Sequence, residues 1–134
     1  MNNTNEQTTK FLPIWVWIIA IIHVVLVLFF SVATFMDPAS FIPGATELNY
    51  SIQLYITRNV TVALAIIVAL LFKSHKVLFT LLLIRVMTDI SDVISVYAFN
   101  VEVIKESVPM VVAILIIPAL VSLGYLWKRI NQQD

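Results

Sequence analysis

Four long apolar stretches, each near the roughly 20 residues that a helix needs to cross a bilayer, constrain this chain more than any motif in it. The first runs from Pro13 to about Met36, the second from Ser51 to Phe72, the third from Val77 to about Asn100 and the fourth from Pro109 to about Trp127. Within a bilayer the backbone must satisfy its own N–H and C=O groups, so runs of this length predict helices. With 60% hydrophobic and 12% charged residues, a water-soluble fold of this length could not cover its apolar surface. The expectation is one all-α membrane domain over residues 1–134, an antiparallel up-down bundle of four transmembrane helices.

The connections support that reading. Asp37-Pro38 ends the first stretch, and the segment to Tyr50, with Phe41, Ile42 and Pro43-Gly44, reads as a loop lying at the membrane surface. Lys73-Ser74-His75-Lys76 is short enough to force the second and third helices into an antiparallel hairpin. Pro109 stands in the first turn of the fourth helix, where a missing N–H is tolerated. Ser31-Val32-Ala33 resembles a signal-peptidase site, but the apolar run before it is too long and its basic flank too weak, so the first helix is read as uncleaved. Lys10, Lys73, Lys76, Lys128 and Arg129 fall on one side and Lys105 alone on the other, which predicts both termini in the cytoplasm. Trp15, Trp17 and Trp127 then belong to the inner interface, and Phe41, Tyr50 and Tyr55 to the outer one.

Several function classes are disfavoured. Eight basic residues balance eight acidic ones, which argues against a nucleic-acid partner. The chain has no cysteine, hence no disulfide or thiolate chemistry. It carries no Gly-rich phosphate loop, G-x-S-x-G, H-E-x-x-H or C-x-x-C pattern, so no catalytic residue or cofactor is assigned. The two histidines, His23 in mid-helix and His75 in the turn, lie too far apart to share a metal. Asn49-Tyr50-Ser51 is a glycosylation sequon, meaningful only in a secretory-pathway host.

The residues that carry information are the charges within the apolar stretches: Arg58 in the second, and Arg85, Asp89 and Asp92 in the third. A charge at the bilayer centre costs on the order of 3 kcal/mol, so such groups turn inward and seek partners. Spacings of four and three put Arg85, Asp89 and Asp92 on one helix face. At about 1.5 Å per residue, Arg58 lies roughly 10 Å below the outer surface, Asp92 and Asp89 roughly 12 and 16 Å, and Arg85 roughly 22 Å. Arg58 is thus level with the carboxylates, and the two arginines and two aspartates are expected to neutralise one another as a buried network. Asn59 and Thr61 beside Arg58, and Thr88 and Ser95 beside Asp92, add polar groups to it. His23, with Ser31 and Thr34 on its face, is the remaining candidate ligand contact. Pro118 should kink the fourth helix, and Ser122 and Gly124 read as close-packing positions.

The stretch from Thr57 to Asp92, with Arg58-Asn59 opening one helix, a short basic turn, and Arg85 and Asp89 to Asp92 in the next, resembles the DoxX-like small four-helix membrane proteins of bacteria. The resemblance covers about a quarter of the chain. It implies the fold and a place in the bacterial inner membrane; some members are linked to quinone-coupled oxidation of sulfur compounds, and many have no assigned activity. A more distant likeness is to the sterol-isomerase and emopamil-binding four-helix group, whose membrane-embedded acidic residues face a sterol or amine; Asp89 and Asp92 would take that part, while His23 and the arginines do not match.

Three readings follow. The first is a membrane protein that binds a small, lipid-like or amine ligand through Arg58, Arg85, Asp89, Asp92, His23 and Asn59, and it predicts a cavity beside a carboxylate that arginine does not fully consume. The second is an accessory or homo-oligomeric subunit of a larger membrane complex, with a closed structural network and lipid around it. A proton or ion path is disfavoured, because Phe79, Leu81, Leu82 and Leu83 wall off the third helix below Arg85.

Overall fold

The computed structural model describes residues 12–132; the polar segment 1–10, with the flanking Lys10, lies outside them. The described residues are helical with no strand among them. Four long helical segments carry the fold: α1 (Ile14–Met36), α3 (Tyr50–Leu71), α4 (His75–Ala98), and a final segment made of α6 (Val108–Val111), a π-helical turn (Val112–Ile116) and α7 (Ile117–Ile130). Two short helices, α2 (Pro38–Phe41) and α5 (Glu102–Lys105), lie in the connections at one end. The long elements pack in a ring, α1 on α3, α3 on α4, α4 on α7 and α7 back on α1.

Helix boundaries have local causes. Pro13 precedes α1, where no N–H is required of it. Asn49 Oδ1 accepts the Ile52 N–H at 3.1 Å, so the sequon asparagine serves as the N-cap of α3. At the far end of α3, Ser74 N–H reaches Ala69 O and Lys73 N–H reaches Leu70 O, with Lys73 at φ 52°. This is a Schellman ending that holds a lysine in the left-handed region. The same pair of bonds ends α4, with Val101 N–H to Val96 O and Asn100 N–H to Tyr97 O, and here the left-handed residue is an asparagine. Between α2 and α3, Ala45 N–H bonds Ile42 O around Pro43-Gly44; Gly44 at φ 80° supplies the positive torsion that a type II turn requires.

Pro118 acts as expected on the last helix, through a widened turn. Lacking an N–H and pressing its ring toward the carbonyl four residues back, it follows the π-helical turn, in which Ile117 N–H bonds Val112 O. Ser122 is fully buried and donates to Pro118 O at 3.0 Å, whereas Gly124 is exposed and a Cβ there would meet nothing. The close-packing role therefore belongs to Ser122 and not to Gly124.

Three segments, Ile14–Met36, Tyr50–Leu71 and Val108–Ile130, are long and apolar enough to cross a membrane, which marks the chain as a membrane protein. They are only one-third buried within the fold, and their outer faces carry Ile, Leu, Val and Phe. In lipid such faces need no cover. Helix α4 is as long, but it concentrates Arg85, Asp89 and Asp92 along its length. Around the α3–α4 turn the bundle is closed by Val16, Ala20, Ile66, Leu70, Leu78, Leu82, Leu123 and Leu126. An edge-to-face contact of Trp15 with Tyr125 and a tilted ring contact of Phe79 with Trp127 rim that end.

Candidate functional site

At the opposite end the helices part. A cavity of about 670 Å³ lies between the ends of α1, α3, α4 and α6 remote from the α3–α4 turn, partly roofed by Phe41 of α2 and Ile104 of α5. Its size is ordinary for a small-molecule site. The walls are mostly apolar, formed by Phe30, Ile52, Val93, Val96, Val108 and Leu115 among others. Arg85 and Asp89 are the innermost α4 residues on its lining, and Asp92 lies one turn nearer the mouth.

Arg85 and Asp89 form a buried ion pair, four residues apart on α4. Only 8% and 4% of these residues are exposed. From α3, Asn59 completes the group: its Oδ1 accepts from Arg85 Nη1 at 3.1 Å, a bond that ties α3 to α4. The inventory is incomplete, however, because Arg85 Nε and Asp89 Oδ2 are buried with no protein partner. Buried polar atoms are paired in the large majority of cases, so these two call for a partner that the protein does not supply.

His23 lies in the core rather than on the cavity wall. Fully buried, it donates from Nδ1 to the Ile19 carbonyl at 2.9 Å. Its Nε2 is a third buried atom without a partner. Ser31 turns its hydroxyl back to Val27 O at 2.7 Å, while Thr34, 2% exposed, reaches the cavity wall.

Arg58 departs from expectation. It does not join a four-member buried network, because the charges separate into two pairs. Arg58 and Asp92 face each other at 3.9 Å with both side chains half exposed, and Arg58 also lies over the Tyr55 ring at 5.6 Å. The cause is rotational: successive helical residues differ by about 100°, so with Asn59 turned inward to Arg85, Arg58 is turned onto the flank. There it lines a shallow groove with Thr88, Ser91 and Asp92. Thr88 and Ser95 satisfy their hydroxyls on the carbonyls of Ile84 and Ser91, and Thr61 is exposed, so none of these contributes to the buried group.

Of the six candidate contacts, then, Arg85, Asp89 and Asn59 come together, Asp92 stands at the cavity wall, His23 lies deeper, and Arg58 lies outside. Thr34, Tyr55 and Ser107 on the wall were not among them. Thr34 was detectable, being eleven positions from His23 and so on nearly the same face of α1. Ser107 sits in a connection, where no periodicity points. Among the described residues no three His, Asp or Glu side chains are grouped as metal ligands would be. No family model, curated protein or solved structure matches the chain.

Proposed function

We propose that this protein crosses the membrane four times with both termini in the cytoplasm, and that it binds an amphipathic, lipid-like ligand in the cavity at the outer end of the bundle. The observation that carries the reading is the cavity itself: apolar walls lead down to a buried Arg85–Asp89 pair in which one donor and one acceptor have no partner. An apolar body on such walls, with a polar end at the pair, matches the usual division of labour in small-molecule sites. Helix α4 spans in this proposal because it is as long as its neighbours and packs between α3 and α7, with its charges turned into the bundle or along its α3 seam. The DoxX-like resemblance belongs to the same proposal and adds a fold rather than an activity.

The test is direct. After purification in mild detergent, extraction and mass spectrometry of the wild-type chain should yield a lipid-like molecule approaching one per chain. Val111→Trp, which fills the cavity from the α6 wall and leaves Arg85 and Asp89 untouched, should lose it. Equal retention by both proteins would refute the proposal.

One observation favours the accessory-subunit reading as a second possibility: the half-exposed Arg58–Asp92 pair on the flank, with Thr88 and Ser91 beside it, where a second chain would shield it from lipid. The oligomeric mass of wild type and Arg58→Gln, measured in the same detergent, decides it. A monomer in both cases removes the reading.

A further inference from the structure

Arg85 and Asp89 carry a hydrogen-bond inventory that selects a headgroup. Of the guanidinium nitrogens, Nη1 donates to Asn59 and Nη2 pairs with Asp89 Oδ1, which leaves the Nε–H free; on the carboxylate, Oδ2 is free. One nitrogen and one oxygen with no partner at all therefore sit on a pair whose charges cancel. The third charged residue on the wall, Asp92, is faced by Arg58 at 3.9 Å, so its charge is offset too.

Charged headgroups fit this floor badly. A carboxylate or phosphate would accept from Arg85 but bring negative charge against Asp89, with Asp92 one turn away. An ammonium would donate to Asp89 while opposing Arg85. In a largely apolar cavity an uncompensated charge costs more than one hydrogen bond returns. A group that is neutral, donates once and accepts once satisfies both free atoms with no new charge.

Resting on the ligand-binding reading above, we infer that the cavity selects an uncharged amphiphile whose headgroup both donates and accepts hydrogen bonds, a hydroxyl being the smallest example. The free atoms lie just beneath the cavity floor, shielded from solvent. Engaging them takes a shift of both side chains, because a turn of the Asp89 carboxylate about its broad terminal torsion brings Oδ2 forward but leaves the Arg85 Nε–H in place. Thr34, Tyr55 and Ser107 place further hydroxyls on the wall, all of them neutral.

A matched set of decyl probes tests the assignment on the full chain: decanol, decanoate, decylammonium and decane, each added to the detergent-purified protein and read by native mass spectrometry. The decanol adduct should exceed those of decanoate and decylammonium by at least about tenfold, the ratio expected for a difference near 1.4 kcal/mol. Decanoate or decylammonium bound as well as decanol would overturn the headgroup assignment and leave the cavity reading standing. No adduct with any probe, decane included, would overturn the cavity reading as well. Asp89→Asn, nearly isosteric, leaves the floor with the Arg85 charge in excess, so preference should move to decanoate; a folded variant that still prefers decanol would overturn the assignment. The wild-type series stands alone if that variant does not fold.

Discussion

Asn59→Leu isolates the bond that joins α3 to α4 at the floor of the cavity. Asn59 is 3% exposed, and its Oδ1 accepts from Arg85 Nη1 at 3.1 Å across 26 positions of sequence. Leucine keeps the branching and the number of side-chain heavy atoms while removing the acceptor, so the lost hydrogen bond is the main term and the bulk of the two methyls adds to it. Hydrogen bonds to a charged group are worth about 1.5–3 kcal/mol, and an orphaned buried donor adds its own desolvation cost. Interhelical hydrogen bonds in membranes average nearer 0.6 kcal/mol, because an unfolded chain in lipid also finds partners. The larger figure should hold here, since Arg85 already has an unpaired Nε and Asp89 alone would remain to hold the guanidinium. The expected loss is about 1.5–3 kcal/mol in denaturation by sodium dodecyl sulfate from mixed micelles, followed by tryptophan fluorescence. Thr61→Ala, on the exposed face of α3, serves as the control and should fall within about 0.5 kcal/mol of wild type. If Asn59→Leu does the same, the bond to Arg85 is not holding α3 against α4.

Two further predictions follow from the connections. Because the native chain has no cysteine, single substitutions can map its sides: Glu47→Cys and Glu106→Cys should react with an impermeant maleimide on intact cells, and Phe72→Cys and Asn131→Cys only after permeabilisation; labelling of Glu47 and Glu106 on opposite sides would exclude four spans. Lys73→Gly relieves a left-handed lysine at the Schellman end of α3 and should raise stability by about 1 kcal/mol in the same denaturation assay, whereas an unchanged midpoint would show that φ 52° carries no cost there.

Much of this architecture was legible in the residues because hydropathy has only one solution at such length. The four long helices coincide with the four apolar stretches, and the spacing of Arg85 and Asp89 on one face of α4 correctly implied an ion pair within the helix. What spacing could not supply was rotation about a neighbouring axis. Arg58 and Asn59 are adjacent, and depth alone placed both level with the carboxylates; which one turns inward is set by how α3 packs on α1 and α4. The π-helical turn was illegible for a related reason. Pro118 announces a disturbance, but whether the helix bends or widens depends on what its neighbours accept. The cavity roof, drawn from α2 and α5, arises from connections whose docking leaves no periodic trace.

The central claim is that the cavity above Arg85 and Asp89 is a ligand site. A density map of the wild-type protein in lipid nanodiscs, at side-chain resolution, tests it most directly. The account predicts elongated non-protein density between α3, α4 and α6, ending in a polar contact with Asp89 and Arg85. A cavity collapsed by its own side chains, with Asp89 Oδ2 and Arg85 Nε bonded to protein groups, would contradict it.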